Sequence, residues 1–265
     1  MALGQARRFG GLAALPQVRP QTGQEAAAWL KSNLDGYYSR PARVPPYRSS
    51  AAWALRQMDD RFSILRPDTV VLDLGCFPGG WSEVAVERSE VSSSSSRVIG
   101  VDSTRMDPME YHTFIQGDLA KKATTQAILA ALGDTRADVV LSDLSPASTG
   151  LKQEDHLNSM QCCLHAAKIM ERTLKLGGWF ALKLTYGSEI GRFRMYLDSR
   201  FETVRAIRPA AVRSSRDMFC ICKGFIGRQT IASEAKSKNA YTHEGMDRWN
   251  GERWLSSQEM LDEDE

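Results

Sequence analysis

The stretch that decides the fold is Val70-Val71-Leu72-Asp73-Leu74-Gly75-Cys76-Phe77-Pro78-Gly79-Gly80-Trp81-Ser82. Its first five residues are apolar except for Asp73, which is typical of a strand buried on both faces of a parallel sheet. The glycines that follow let the backbone approach a ligand closely at the start of a helix. The stretch therefore predicts a strand, a ligand-binding loop and a helix, and a plain structural turn is the alternative. It has neither the Gly-x-Gly-x-x-Gly spacing nor a phosphate-loop lysine, which disfavours a dinucleotide or ATP.

Strand and helix patterns alternate on both sides of this unit. Further strands are predicted at 98–102, 137–143, 179–185, 200–207 and 218–225, the last as an edge strand or hairpin partner. Helices are predicted at 50–62, near 124–132 and at 155–176, where Gly177-Gly178 ends the helix. The pattern predicts a Rossmann-like α/β fold: a mainly parallel sheet with helices on both faces and an antiparallel last strand. A ligand should bind at the carboxyl ends of the strands.

The composition excludes several classes of protein. A chain of 265 residues with 42% hydrophobic and 25% charged residues has the make-up of an ordinary globular protein. No apolar run approaches the ~18 residues of a membrane span, so we expect no membrane association. Five cysteines without paired Cys-x-x-Cys motifs, and only four histidines, argue against a disulfide framework and a structural zinc site. We therefore expect no metal.

Several motifs in order resemble the FtsJ/RrmJ family of ribose 2′-O-methyltransferases, over about Tyr47 to Phe225. The segment from Asp73 to Ser82 is similar to the family's S-adenosylmethionine loop. The other matching motifs are Arg48-Ser49-Ser50-Ala51, Met106-Asp107-Pro108, Gln116-Gly117-Asp118, Ser142-Asp143-Leu144-Ser145-Pro146, and Gly177-Gly178 with Phe180 to Lys183. Their order and spacing argue against a chance match.

The resemblance implies S-adenosyl-L-methionine as the cofactor. The residues implied to bind it are Asp73, Gly75, Pro78, Gly79, Gly80, Trp81, Asp102, Asp118 and Asp143. Gly79 and Trp81 would line its methionine end, Asp102 would hold the ribose and Asp118 the adenine amine. Asp143 would lie near the sulfonium, which a carboxylate stabilises. Cys76 and Phe77 replace two alanines of the family pattern, and the phenyl ring could crowd the pocket or stack within it.

The family's catalytic Lys-Asp-Lys-Glu tetrad is only partly present. By resemblance Lys183 is the base, Asp143 orients it, and the final glutamate is replaced by Asp217. The first lysine falls on Ala54, so we expect Lys183 to hold its proton more firmly and catalysis to be weakened. Shortening a carboxylate by one methylene also matters, since a shift of ~1 Å can cost ~100-fold in rate. The alternatives are a solvent-facing Lys183 and a surface pair between Asp217 and Arg216.

Arginines without lysines predict a surface that binds RNA phosphates. They are Arg205, Arg208, Arg213 and Arg216, together with Arg48 and with Arg40 and Arg43. Scattered, solvated arginines are the alternative.

The resemblance implies ribose 2′-O-methylation of large-subunit ribosomal RNA, with weakened activity. The other hypothesis is an inactive homologue that serves as an RNA-binding assembly factor of the ribosome or mitoribosome.

Three domains are predicted: a basic N-terminal extension at 1–46, a methyltransferase-like domain at 47–225 and an acidic tail at 226–265. Residues 1–66 carry ten Arg and Lys against four acids, and residues 226–265 carry five against nine. Ribosomal or assembly-factor proteins are the expected partners of the two end segments, and the tail is either disordered or docked through Trp249 and Trp254.

The acid-free first 24 residues resemble a mitochondrial transit peptide, with the cytoplasm or nucleus as alternatives. Residues 92–96, all serine, are expected to be a flexible surface insertion.

Overall fold

The strand and helix on either side of the glycine loop form where the sequence places them, in a computed structural model that describes residues 47–90, 97–212, 216–227, 246–249 and 254–255. The helices are α1 (Ala51–Phe62), α2 (Gly80–Arg88), α3 (Lys122–Leu132), α4 (Lys152–Thr173) and α5 (Ile190–Asp198), with a 3-10 turn at Ala210–Val212. The strands are β1 (Val70–Leu74), β2 (Arg97–Asp102), β3 (His112–Gln116), β4 (Ala137–Ser142), β5 (Leu174–Thr185), β6 (Phe201–Arg208), β7 (Asp217–Phe225), β8 (Met246–Trp249) and β9 (Trp254–Leu255). The expected extension at 1–46, the serine tract, Arg213 and most of the tail lie outside the described residues.

The strands form one sheet in the order β3-β2-β1-β4-β5-β7-β6-β8-β9. The pairs β2–β3, β1–β2, β1–β4 and β4–β5 are all parallel. The strand β7 is antiparallel to both β5 and β6. The Rossmann-like class with its antiparallel last core strand is therefore confirmed. In the described part of the tail, β8 pairs with β6, and Trp249 lies opposite Trp254 of β9.

Two layers of helices cover the sheet. On one face α1 and α2 pack against alternate strand residues such as Val71, Leu141 and Ala181. On the other face α3, α4 and α5 pack against their neighbours, including Leu72 and Leu182. Full burial of such a side chain contributes about 1.5–3 kcal/mol, which is why β1 is apolar on both faces. No helix in the described part of the chain is both long enough and apolar enough to cross a membrane.

The sequence prediction is wrong at the end of the long helix. The helix α4 ends at Thr173, and Gly177-Gly178 lies inside β5. The register between β4 and β5 shifts between Ala137 and Val139, and a Cβ on Gly178 would lie 2.9 Å from the carbonyl oxygen of Asp138. The glycines therefore allow close approach of two strands at an irregular pairing. The edge alternative for the strand at 218–225 is also wrong, since β7 lies between β5 and β6, whereas its antiparallel pairing with β6 agrees with the hairpin alternative.

Candidate active site

The carboxyl ends of the parallel strands bring the predicted acids to one edge of the sheet. Asp73 lies in β1, Asp102 ends β2, and Asp143 directly follows β4. Leu74 pairs with Val101 on one side and with Ser142 on the other, which places the three carboxyl groups around the end of β1. The neighbouring strand β5 brings Lys183 to the same edge. The order of the strands thus assembles a site from segments far apart in the chain.

The glycine loop allows neighbouring backbone and side chains to come close. Gly75 and Gly79 have φ angles of 80° and 121°, in the region that favours glycine. A Cβ on Gly79 would lie 2.8 Å from Cδ of Arg48, and one on Gly80 would collide with the side chain of Ser49. The peptide bond between Phe77 and Pro78 is cis. The loop is therefore a tightly packed cradle that ends at the amino terminus of α2.

Trp81, which the resemblance implies at the methionine end of the cofactor, has a buried side chain. The indole is 2% exposed, its N–H donates to the carbonyl oxygen of Ala51 at 3.0 Å, and its ring packs against Phe219. The side chain thus holds α2 to α1 and to β7. The backbone N–H of Trp81 lies in the first turn of α2, where N–H groups have no acceptor within the helix.

Asp73 is the most deeply buried acid of the site. It is 0% exposed, and its Oδ2 accepts a hydrogen bond of 2.6 Å from the hydroxyl of Ser82. Its Oδ1 has no hydrogen-bond partner within the described structure. Burial raises the pKa of Asp73 to about 7; the Ser82 hydroxyl lowers it, and Asp143 and Asp102 raise it further. The loop therefore covers an acceptor that a ligand could satisfy.

The two acids implied to bind adenosine are held by backbone donors. Asp102 accepts from the N–H groups of Phe77 at 3.1 Å and Thr104 at 2.8 Å, one on each carboxylate oxygen. Asp118 is exposed and accepts from the N–H of Ala120 at 2.9 Å. A carboxylate accepts about four hydrogen bonds, so both keep capacity for hydroxyl or amine donors.

The two departures from the family loop have different environments. Phe77 is 49% exposed, so its ring does not fill an enclosed cavity. Cys76 is 3% exposed, and burial raises the pKa of its thiol, which keeps it uncharged. Neither side chain blocks the cradle from within the core.

Lys183 and Asp143 form a close ion pair. The Nζ of Lys183 lies 2.5 Å from Oδ1 of Asp143 and 3.3 Å from its carbonyl oxygen. The two side chains are only 13% and 17% exposed. Burial raises the pKa of Asp143, and the Lys183 ammonium opposes this rise. The solvent-facing alternative for Lys183 is therefore wrong, because its amine points across to β4.

Asp217 lies on the same face of the sheet as this pair. It is opposite Thr185 in the pairing of β5 and β7, and Thr185 is two residues after Lys183. The hydroxyl of Thr185 donates to Oδ1 of Asp217 at 3.4 Å, and the charge of Asp217 also raises the pKa of Asp143. Arg216 instead pairs with Asp155 at 3.8 Å. A cleft beside these residues is lined by Ser145, Pro146, Ser148, Asp155, Thr185, Arg216 and Asp217.

Ala54 occupies the position implied for the first lysine of the tetrad. It is 1% exposed and packs in the core that contains Ala181 and Phe219. Phe219 lies opposite Lys183, so this core borders the face that carries the catalytic pair. Among the ion pairs of the described residues, Asp143 has Lys183 alone as its cation. Within this part of the chain, the ion pairs of Asp143 therefore include no second cation.

Arg48 is engaged inside the protein. Its backbone N–H and its Nε contact Glu83 of α2, at 2.7 and 3.5 Å. Its two terminal nitrogens donate to the carbonyl oxygens of Asp107 at 2.8 Å and Pro108 at 2.9 Å. The guanidinium therefore ties the segment after β2 to the glycine loop, and its contact with RNA remains a prediction.

The other predicted RNA-binding arginines differ in position. Arg208 ends β6, and Arg216 directly precedes β7, at the edge of the sheet that carries Lys183. Arg205 is exposed but lies three residues back along β6. Arg213 lies outside the described residues. Two of the four are therefore placed beside the site.

One buried polar residue of the site was not found from the sequence. His156 in α4 is 2% exposed, its Nδ1 lies 2.9 Å from the carbonyl oxygen of Thr185, and its Nε2 lies 3.0 Å from the N–H of Glu189. Since Nε2 must accept from that N–H, Nδ1 carries the proton and donates to Thr185. His156 thus fixes the end of β5 beside Lys183. Its partners are 29 and 33 residues away, and no local pattern signals such contacts.

The same residues match known proteins in sequence and in structure. The model of the family described as FtsJ-like methyltransferase matches residues 47–225. The ribosomal RNA large subunit methyltransferase E of Parvibaculum lavamentivorans is 36% identical over 231 residues, which cover 83% of this chain and 90% of that protein. The protein of the same name from Pseudomonas aeruginosa is 35% identical over 79% of this chain and 99% of its own length.

A solved structure, described as a ribosomal RNA methyltransferase from Plasmodium falciparum, is similar in fold. Its TM-score is 0.63 at 32% identity, and the match covers 69% of this chain and 100% of that one. The family match spans the glycine loop, the three acids and Lys183, the residues that the sheet brings to one edge. This chain belongs to the FtsJ-like methyltransferase family.

Proposed function

We propose that this protein transfers a methyl group from S-adenosyl-L-methionine to a ribose 2′-hydroxyl of large-subunit ribosomal RNA. The observation that carries the proposal is the ion pair of Lys183 and Asp143, 2.5 Å apart beside the glycine loop. Relatives that this chain covers over 90–99% of their length are named ribosomal RNA large subunit methyltransferases, which supports the substrate class.

The residues of the loop fit this cofactor. A positively charged ligand matches three carboxyl groups and the unsatisfied oxygen of Asp73. Gly79 and Gly80 have no room for a Cβ because the side chains of Arg48 and Ser49 pack against them, which fixes the shape of the loop. Asp102 and Asp118 would hold the ribose hydroxyls and the adenine amine. The bound cofactor supplies an electrophilic methyl group on a positively charged sulfur.

Lys183 is the group that would take the proton of the ribose hydroxyl. Its free amine form is the base, and Asp143 fixes the position of the nitrogen. Asp217 lies on the same face of the sheet, opposite Thr185. Ala54 stands where the resemblance implies the first lysine of the tetrad, and we therefore expect slow transfer.

Methylation of a transcript of large-subunit ribosomal RNA with radiolabelled S-adenosylmethionine tests this proposal. We expect incorporation into an alkali-resistant dinucleotide, which identifies a 2′-O-methyl group, and a rate that increases with pH. Lys183→Met should remove transfer by at least 100-fold while cofactor binding persists. Absence of cofactor binding at millimolar concentration, or full activity of Lys183→Met, would overturn the proposal.

A second candidate is an inactive RNA-binding assembly factor of the ribosome or mitoribosome. The observation that favours it is the buried Ala54 where the catalytic lysine is implied. RNA binding without transfer at any pH between 6 and 9 would select this candidate. Its location in mitochondria rests on the acid-free first 24 residues, and import of a fluorescent fusion of that segment tests the location.

A further inference from the structure

Asp73 lies beneath the glycine loop, and only one of its two carboxyl oxygens has a hydrogen-bond partner in the described structure. One carboxyl oxygen accepts from Ser82 at 2.6 Å, and the other has no partner within the described structure. The side chain is 0% exposed, so bulk solvent does not reach this oxygen. A proton on the carboxyl group, or a positively charged ligand beside it, would satisfy a buried acceptor in this state.

The charged groups around Asp73 favour the proton when no ligand is bound. From β2 and the end of β4, Asp102 and Asp143 add negative charge; from α2, the Ser82 hydroxyl donates. The Cys76 thiol of the loop is uncharged. The single ammonium of the site, on Lys183, is paired with Asp143. Burial and these carboxylates raise the pKa of Asp73 to about 7, against 3.8 for an ordinary aspartate.

We propose that Asp73 releases its proton when the cofactor binds, and that its carboxylate then contacts the positively charged methionine end of the cofactor. The O–H bond of Asp73 breaks, the electron pair stays on the carboxylate, and the proton passes to the buffer. One positive charge enters the site for each proton that leaves. The inference rests on the proposed function, because it requires cofactor binding at this loop.

The expected proton count follows from the pKa. With a pKa of about 7, Asp73 is protonated in roughly nine-tenths of the molecules at pH 6, half at pH 7 and one-tenth at pH 8. Binding should release the same fractions of a proton. The dissociation constant should fall about fivefold between pH 6 and pH 7, since binding competes with the proton over that range.

Calorimetric titration of the full chain in two buffers of different ionisation enthalpy measures the released protons. S-adenosylmethionine and S-adenosylhomocysteine are the ligands, at pH 6 and pH 7. The α-amino group of both titrates near 8, so it remains charged at these pH values. Release with both ligands would place Asp73 opposite the ammonium, and release with S-adenosylmethionine alone would place it opposite the sulfonium.

Asp73→Asn is the decisive variant, because its amide oxygen can still accept from Ser82. We expect weaker binding without any dependence on the buffer. Asp118→Asn is the matched control: it removes an exposed carboxylate of the same site and should weaken binding while the proton count stays unchanged. If Asp73→Asn does not fold, Ser82→Ala replaces it; loss of the hydroxyl should move the midpoint of proton release above pH 7.

The outcomes separate the two proposals. Absence of binding heat and of any competition between the ligands would overturn the proposed function. Binding of the unaltered protein with no dependence on the buffer would overturn the inference and leave the function standing. Equal proton release from Asp73→Asn, or an unmoved midpoint in Ser82→Ala, would likewise overturn it, because the proton would then come from another group.

Discussion

Replacing Arg48 by alanine should weaken cofactor binding more than RNA binding. The guanidinium spans the carbonyl oxygens of Asp107 and Pro108, at 2.8 and 2.9 Å, and lies 3.5 Å from Glu83. These contacts hold the segment after β2, which resembles the adenine side of the family's site. Without them, this segment must be ordered again each time the cofactor binds.

The size of the effect follows from the two hydrogen bonds. A hydrogen bond from a charged donor contributes about 1.5–3 kcal/mol. The side chain of Arg48 is 27% exposed, so water replaces part of what is lost. Half of the summed contribution of the two hydrogen bonds is about 2 kcal/mol. A loss of that size corresponds to about a 30-fold increase in the dissociation constant of the cofactor.

The assay compares Arg48→Ala with Arg48→Lys. Lysine keeps the positive charge that attracts phosphate, but its single nitrogen cannot span two carbonyl oxygens as a guanidinium does. We expect both variants to lose cofactor affinity in calorimetry, and Arg48→Lys to retain RNA affinity in filter binding. Cofactor binding within twofold of the unaltered protein in both variants, with RNA binding lost only in Arg48→Ala, would refute this reasoning.

Three further changes probe the neighbouring residues. Ala54→Lys should raise the single-turnover rate about tenfold over the similarly sized Ala54→Met, because it restores a lysine at the position implied for the first member of the tetrad; equal rates would contradict this. His156→Leu should lower the free energy of unfolding in denaturant by about 2–3 kcal/mol, since the hydrogen bond to Thr185 is lost in a buried site, and an unchanged midpoint would show that the contact is dispensable. Asp73→Asn should stabilise the fold more at pH 8 than at pH 4: the folded protein holds this proton up to about pH 7 while the unfolded chain releases it near 3.8, so rising pH destabilises the native carboxyl and not the amide. Parallel unfolding curves of the two proteins across this range would be the contrary result.

The sequence predicts those helices and strands whose burial produces a clear pattern of apolar residues. The strand β1 is apolar on both faces because helices cover both, and its pattern is visible in five residues. The strand β3 (His112–Gln116) was missed because it is only partly buried, at the end of the sheet. The helix α5 (Ile190–Asp198) was missed because it is short and begins next to Gly191. The end of α4 was predicted wrongly from Gly177-Gly178, because glycines that end helices also permit two strands to approach closely.

The site could be predicted where each residue is part of a local motif. Asp73, Asp143 and Lys183 occur in motifs at strand ends, and strand order brings such ends together. Arg48, His156 and the indole of Trp81 could not be assigned, because their contacts are with residues 29 to 60 positions away. Such roles depend on how helices pack on the sheet, which the local pattern leaves open.

The charges around the glycine loop act differently on a cationic cofactor and on RNA. Asp102 and Asp143 face one ammonium, that of Lys183, and Asp73 adds up to one more negative charge as the pH increases. This field attracts a cationic cofactor and repels the phosphates of RNA. Under the proposed function, RNA would be held by cations outside this centre, and Arg208 and Arg216 lie at the same edge of the sheet. In that arrangement the target ribose would reach Lys183 from the side of Arg208 and Arg216, and the cofactor would lie on the side of Asp102.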